Sequence, residues 1–371
     1  MIDTKLFYDE LKKHHFDFFA GVPDSLLANL CACIKENTAP EKNIITANEG
    51  NAVAICAGYH IATKQYGVVY MQNSGEGNAV NPLLSLADED VYSLPMLLII
   101  GWRGEPGKHD EPQHVKQGKV TLSLLEAMGI DYQILGDDYL SQIEYAANYM
   151  KTKQKPFAFI VQKGLFSPYS LHLEANPYQL TREDALKEIL SSLHEEDFIV
   201  STTGKTSREI FEIREARKED HAHDFLTVGS MGHTASIAYG MAIGCQKKIW
   251  CIDGDGSFIM HMGSLGVIGQ NIPHNFKYIL NDNQAHESVG GQPTCSKSLD
   301  IPMILKGCGF QSVFVAETKQ QIQEGMEWMK THDRCALILH TKQGSRPDLG
   351  RPTTSPQENK VAMMKKLVTK E

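Results

Sequence analysis

A series of stretches along the chain read as strands buried on both faces: YGVVYMQ, MLLIIGW, FAFIVQ, DFIVST, KIWCID, FKYILND and CALILH. Each is a continuous apolar run of strand length, without the in–out alternation of a half-solvated strand. Segments with helical spacing lie between them. Such alternation predicts an α/β architecture on parallel sheets. The opening MIDTKLFYDELKKHH predicts a helix with Asp3 or Thr4 at its cap.

The pattern also repeats. One segment is NEGNAVAICAGYHIATKQYGVVYMQNSGEGNAVNPLLSLADEDVYSLPMLLIIGWRG, and another is GSMGHTASIAYGMAIGCQKKIWCIDGDGSFIMHMGSLGVIGQNIPHNFKYILNDNQ. Each holds a small-residue helix ending near a glycine (Gly58, Gly240), a strand and a Gly-x-Gly turn (75–77, 254–256). A helix, a proline (Pro95, Pro273) and another strand follow. Turn and proline are 18 residues apart in the first (95 − 77) and 17 in the second (273 − 256). Two doubly wound α/β domains of similar topology, related by duplication, account for this better than one sheet. The expected boundaries are a first domain over 1–166, a linker SPYSLHLEANPYQLT over 167–181, and a second domain over 182–371. Beyond Gly344 the chain reads as a loop before a last short helix.

A length of 371 residues suits about two domains. The net charge of −9, with no basic stripe interleaved with aromatics, argues against nucleic acid. An anionic substrate therefore has to be held by a few local cations, not by a global field. The longest apolar run, LPMLLIIGW, is strand length and far short of a membrane span. The N-terminal segment carries no signal-peptide core. Eight cysteines form no CxxC pair, which predicts reduced, buried thiols and a cytoplasmic location. Cys31 and Cys33 read as two small apolar positions of a helix and not as a metal site.

The chemistry concentrates in CIDGDGSFIMHMGSLGVIGQNIPHNFKYILNDNQ, which starts at Cys251. A strand–GDGS–helix turn presents the N–H groups of Gly256 and Ser257 to an anion. Asp255 stands in the same turn, and a carboxylate beside a phosphate requires a cation between them. The next strand delivers Asp282, Asn283 and backbone carbonyls to the neighbouring sheet end. Together these are hard oxygen ligands for Mg²⁺ or Ca²⁺ completed by phosphate oxygens. Other readings fail on particular residues. TTGKTS (202–207) lacks the Walker A glycine, since Ile199 stands there. GDGSFI lacks the third glycine of a dinucleotide fingerprint. His109, Asp110 and His114 as zinc ligands are opposed by Pro112, and HAHD (221–224) reads as a polar loop.

The segments GVPDSLL, ANEGNAVAICAGY, MQNSGEGN, GWRGEPGKHDEPQH, STTGKTSREIF, GSMGHTASIA and GDGSFIMHMG span the chain. With the GDG-to-Asn spacing, they resemble thiamine diphosphate-dependent enzymes, most closely the phosphonopyruvate decarboxylases, with sulfopyruvate decarboxylases next. The resemblance implies a pyrimidine-binding domain first, a diphosphate- and metal-binding domain second, and no middle domain. It implies a homodimer or higher, with sites shared between chains. The activity implied is decarboxylation of 3-phosphonopyruvate to phosphonoacetaldehyde, feeding 2-aminoethylphosphonate synthesis, with sulfopyruvate as the alternative substrate. Presence of both domains on one chain leans towards the phosphonate.

Residue by residue, Glu49 matches the family's catalytic glutamate, which exchanges a proton with the cofactor's pyrimidine ring. Met231 is implied to wedge under the cofactor, and the Gly229 carbonyl to accept from its amino group. Gly254, Gly256, Ser257 and Thr203 are expected on the cofactor side. The expected metal ligands are Asp255, Asn283 and the carbonyl of Ala285, with Asp282 a rival for Asn283 because the spacing departs by one residue. The loop after residue 101 gathers Arg103, Lys108, His109 and His114. The cations suit a phosphonate, and His109 or His114 suits the proton delivered after CO₂ leaves. Lys205, Asp24, Ser25 and the turn from Gly75 to Asn78, with Asn78 its side-chain candidate, are further candidates for the substrate, being placed at strand ends.

Overall fold

The structure is a computed structural model that describes residues 1–172 and 174–367. Leu173 of the expected linker and residues 368–371 of the expected second domain lie outside the described residues. Near residue 173 the chain divides into two compact units, and Ser288–Gln292 groups with the first of them.

The first unit carries a six-stranded sheet in the spatial order Asn43–Ile45, Phe18–Gly21, Gly67–Gln72, Leu97–Gly101, Phe157–Val161, Asp131–Ile134. Every neighbouring pair is parallel. The second unit carries another: Ser312–Ala316, Cys335–His340, Phe276–Asp282, Ile249–Gly254, Phe198–Ser201, Asp224–Leu226, again all parallel. Counted along its own stretch of chain, each sheet has the order 2-1-3-4-6-5. The repeat seen in the sequence is therefore a repeat of topology.

Continuous apolar runs follow from burial on both faces. Phe19, Val68, Tyr70, Leu97, Ile99, Phe157 and Phe159 pack on one face of the first sheet. Their chain neighbours Ala20, Val69, Met71, Leu98, Ile100, Ala158 and Ile160 pack on the other. In the second sheet Trp250, Ile252, Ile279 and Leu337 face one layer, and Cys251, Tyr278, Leu280 and Ile338 the opposite one. The strands absent from the sequence reading are short or at the edges. Asp131–Ile134 exposes both its ends and Asn43–Ile45 is only half-buried, so neither has a two-faced apolar signature.

Capping sets several helix starts. Asp3 accepts from the Leu6 N–H and opens Thr4–Lys13. Asn48 accepts from the Asn51 N–H and opens Glu49–Thr63. Thr318 and Gln321 form a reciprocal capping box before Lys319–Thr331. Pro112, expected to break a helix, instead opens one at its first position, Pro112–Ala127, where a missing N–H costs nothing. The expected linker is tied down on the first unit's side: the Thr4 hydroxyl donates to the Ser167 carbonyl. Past Gly344, the last helix is Pro356–Leu367.

The cysteines are free thiols, and Cys295 is exposed. Cys31 and Cys33 are buried in the helix Ala28–Asn37, where desolvation pushes their thiols up to about 12 and about 11. Among the described residues, no helix is long and apolar enough to cross a membrane.

Each 2-1-3-4 order reverses direction between its first and third strands. In an open parallel sheet, the crevice beyond the carboxyl ends at that point is where ligands bind. In the first unit it is bordered by the turns after Gly21 and Gln72, and in the second by those after Ser201 and Gly254.

Candidate active site

In the first unit, Glu49 is the first residue of its helix, set there by the Asn48 cap. Its side chain is buried, and Oε2 accepts from Asn78 Nδ2 at 2.7 Å. Desolvation raises its pKa above the ordinary carboxyl value, against the lowering effect of Asn78. The turn after the third strand closes on it. A Cβ at Gly75 would lie 2.2 Å from Glu49 Oε1, and one at Gly50 would lie 2.7 Å from the Asn78 carbonyl oxygen. SGEGN is thus a close-approach motif at Gly75, whereas Gly77 faces open space.

Glu76, in the same turn, is also buried, with Oε1 unpartnered among the described residues. Desolvation raises it to about 8, with the Thr121 hydroxyl pulling the other way. Its only signal in the sequence is an acid inside an otherwise small-residue turn.

Asp24 and Arg103 form a second cluster. Asp24 is fully buried and accepts from Gln72 Nε2 at 2.5 Å and from the Leu26 N–H at 3.0 Å; desolvation raises its pKa. Arg103 donates Nε to Asp110 Oδ2 at 2.8 Å and Nη2 to Asp110 Oδ1, and its Nη1 donates to Ser25 Oγ at 2.8 Å. Asp110 also accepts the Gly104 and Glu111 N–H groups. Although partly desolvated, it is held well below the usual carboxylate range by Arg103 and those N–H donors. His114, in the first turn of its helix, is buried with Nδ1 unpartnered among the described residues. Desolvation, then the Arg103 charge, lowers its pKa to about 4. Asp24, Ser25, Arg103 and Asp110 are therefore one network, while Lys108 and His109 are exposed on the loop.

In the second unit, Thr203 Oγ1 accepts the Gly229 N–H at 3.0 Å and joins two turns. Gly229, Ser230 and Gly232 all have positive φ, at 72°, 47° and 87°, so the chain around Met231 is tightly wound. A Cβ at Gly256 would lie 3.1 Å from Met231 Cε and 3.1 Å from the His286 ring. Ser257 Oγ accepts the Gly232 N–H at 3.1 Å. Gly254 closes the strand, with its N–H on Asp253 Oδ1 at 2.9 Å.

The acidic centre is Asp255 with Asp282. Thr294 Oγ1 donates to Asp255 Oδ2 at 2.5 Å, and Ser296 Oγ lies 2.7 Å from Asp282 Oδ1 and 3.4 Å from Asp255 Oδ2. Desolvation first, and the Asp282 charge second, raise Asp255 to about 7. Asn283 turns elsewhere: Oδ1 accepts the Ala285 N–H at 3.1 Å, and Nδ2 donates to Glu287 at 2.9 Å. Glu287 also binds Arg182 at 2.8 Å and Lys205 at 2.9 Å, so the Lys205 ammonium is already paired. Of the two rivals for partner to Asp255, the structure brings up Asp282. Thr294 and Ser296 were not anticipated; two hydroxyls at alternate positions of a polar loop are a faint sequence signal.

These two halves match known domains. Residues 4–126 match the thiamine pyrophosphate enzyme N-terminal TPP binding domain, and residues 202–339 the C-terminal TPP binding domain. The chain is 32% identical over 359 residues to phosphonopyruvate decarboxylase of Streptomyces viridochromogenes, covering 91% of this chain and 88% of that one. It is 28% identical over 353 residues to sulfopyruvate decarboxylase of Methanosarcina acetivorans, covering 88% of each. The beta subunit of sulfopyruvate decarboxylase from Methanocaldococcus jannaschii matches 43% of this chain at 33% identity, over 81% of its own length. The chain belongs to the thiamine pyrophosphate enzymes, and within them it is a thiamine diphosphate-dependent decarboxylase, a carboxy-lyase. Its two parallel sheets correspond to the family's N- and C-terminal binding domains, with no middle domain between them. The M. acetivorans relative aligns with nearly the whole chain, so joining both domains on one chain does not by itself separate phosphonate from sulfonate enzymes.

Proposed function

We propose that this enzyme decarboxylates 3-phosphonopyruvate to phosphonoacetaldehyde and CO₂, using thiamine diphosphate and Mg²⁺, as a step of phosphonate biosynthesis. The observation that carries the substrate assignment is the match to phosphonopyruvate decarboxylase over 91% of the chain. The residues fit the two groups implied. Two buried carboxylates at adjacent strand ends form a donor set for a hard divalent cation, which also relieves their repulsion. Gly256 lets its turn pack directly against Met231 and His286, where a side chain would be crowded.

Asp255 and Asp282 would hold the cation, and Gly254, Gly256, Ser257, Thr203, Gly229 and Met231 would line the cofactor. The carbonyl of Ala285 would complete the set, and Asn283, whose side chain is bonded to Glu287 and the Ala285 N–H, is the rival to Asp282. When bound, thiamine diphosphate supplies the electron sink for the pair left on the keto carbon as the bond to the carboxylate breaks. Glu49 would be the carboxyl that holds and returns a proton for the cofactor's pyrimidine ring. A raised pKa keeps that carboxyl closer to neutral pH, where exchange is efficient. Asn78 fixes the orientation of Glu49. Arg103, held flat by Asp110 and Ser25, offers a guanidinium to the phosphonate; Lys108 and Lys205 are further cation candidates, and Asp24, Ser25 and Asn78 are candidates for the rest of the substrate. The proton that replaces CO₂ comes from His114 or His109. His114 is neutral at pH 7, so it would act as a relay, taking up a proton from solvent at one ring nitrogen as it passes one on from the other. We infer a homodimer or higher with sites shared between chains and a cytoplasmic location, both on the family resemblance and the reduced thiols.

Sulfopyruvate is the second reading, favoured by the single-chain M. acetivorans relative. CO₂ release from each substrate, with cofactor or Mg²⁺ omitted in turn and Glu49→Gln as control, decides between them. Faster turnover of sulfopyruvate would transfer the assignment.

A further inference from the structure

Two hydroxyl groups bind both members of the acidic pair from one short turn. Thr294 and Ser296 are buried, while Cys295 between them is exposed, so the turn Cys295–Ser298 aims alternate side chains inward. Thr294 caps this turn by accepting the Ser296 N–H. Its single hydroxyl proton then goes to Asp255 Oδ2, at 2.5 Å. The single proton of Ser296 goes to Asp282 Oδ1, at 2.7 Å, in preference to Asp255 at 3.4 Å. The 3.0 Å contact between the two hydroxyl oxygens needs no proton of its own. Asp282 Oδ1 also accepts the Gln284 N–H at 3.1 Å. Each carboxylate thus has one oxygen fixed by a hydroxyl, which sets the rotation of its plane, and both hydroxyls are held by the same short turn, with Ser296 Oγ within 3.4 Å of an oxygen of each.

We propose that Thr294 and Ser296 are positioning residues of the divalent cation site, locking Asp255 and Asp282 into one mutual orientation so that both present oxygens to the same ion. This rests on the reading of Asp255 and Asp282 as cation ligands. Partners that bind a ligand's second atom govern affinity nearly as strongly as the ligands themselves, with losses of about 10- to 100-fold when they are removed.

The test is a titration of the full chain with Mn²⁺ in the presence of thiamine diphosphate, with free Mn²⁺ read by electron paramagnetic resonance. Ser296→Ala and Thr294→Val should each weaken Mn²⁺ binding by about 10- to 100-fold. Ser296→Thr, which keeps the hydroxyl, should restore affinity. Ser298→Ala, in the same turn but bonded only to the Cys295 carbonyl, should leave it unchanged. If Ser296→Ala melts far below the wild type without metal, Ser296→Cys, of similar volume and weaker hydrogen bonding, takes its place. Undiminished affinity in Ser296→Ala and Thr294→Val, with affinity lost in Asp255→Asn, overturns the positioning role and keeps the cation site. Undiminished affinity in Asp255→Asn overturns the reading on which the inference stands, and the inference with it.

Discussion

Adding one methyl group at Gly75 should disable the enzyme without unfolding it. Gly75 has φ −78° and ψ −12°, a conformation alanine adopts freely. The backbone therefore does not object, and the lost unfolded-state entropy favours alanine by about 0.4–1 kcal/mol. The obstacle is Glu49. The new Cβ would lie 2.2 Å from its Oε1, 2.4 Å from Cδ and 2.6 Å from Cγ, where ordinary contact begins at 3.4 Å. The carboxyl has to retreat by about 1.2 Å (3.4 − 2.2), which its flexible stem allows. It then also strains the 2.7 Å bond from Asn78. A displacement of about 1 Å at a reacting group costs about 100-fold in rate, which is about 2.7 kcal/mol of transition-state stabilisation. We expect Gly75→Ala to lower kcat for CO₂ release by about that factor, with a melting temperature close to wild type. Gly77→Ala is the matched control, since nothing lies within 4 Å of its Cβ, and it should retain full activity. Full activity in Gly75→Ala would refute the argument. So would an equal loss in Gly77→Ala, because the effect would then belong to the turn and not to the contact with Glu49.

Other outcomes follow from the same geometry. Glu49→Gln should reduce CO₂ release by about 10²- to 10⁴-fold, the span typical of a lost acid–base group, while thiamine diphosphate still binds; retention of rate would remove Glu49 from the chemistry. Asp282→Asn should weaken Mn²⁺ binding by at least about 10-fold, whereas Asn283→Ala should not; the reverse ranking would reinstate Asn283 as the side-chain ligand. Arg103→Lys cannot keep both bonds to Asp110 and a third to Ser25, so kcat/KM for phosphonopyruvate should fall by about 10-fold or more; an unchanged value would place the phosphonate elsewhere.

How much of this was legible in the sequence depended on burial. Central strands such as Ile249–Gly254 carry apolar side chains on both faces and announce themselves. Edge strands such as Asp131–Ile134 are defined by hydrogen bonds to one neighbour, and a run exposed at both ends leaves little trace in side-chain chemistry. The site divides in the same way. Asp255 was expected from its Gly-Asp-Gly turn and Asp24 from its place at a strand end, whereas Glu49 was expected from the family resemblance. Lys205 was equally visible as a cation at a helix start, but its pairing with Glu287, 82 positions away, is a matter of tertiary contact. Thr294 and Ser296 lie 39 and 14 positions from the carboxylates they bind, and nothing in their own segment names those distant partners.

Glu76 yields the last prediction. Its carboxyl is drawn up from an ordinary value of 4.5 to about 8, chiefly by desolvation. The folded chain therefore holds a proton at Glu76 that the unfolded chain has released between these two values. Stability attached to this group is fully present below about pH 4.5 and is lost as pH rises through about 8. Glu76→Gln keeps the shape and removes the titration. Wild type and variant should differ least in melting temperature at pH 5, and the wild type should fall progressively behind by pH 8.5. Parallel melting curves across that range would mean that Glu76 is ionised in the fold, and that its unpartnered oxygen is reached by a donor after all.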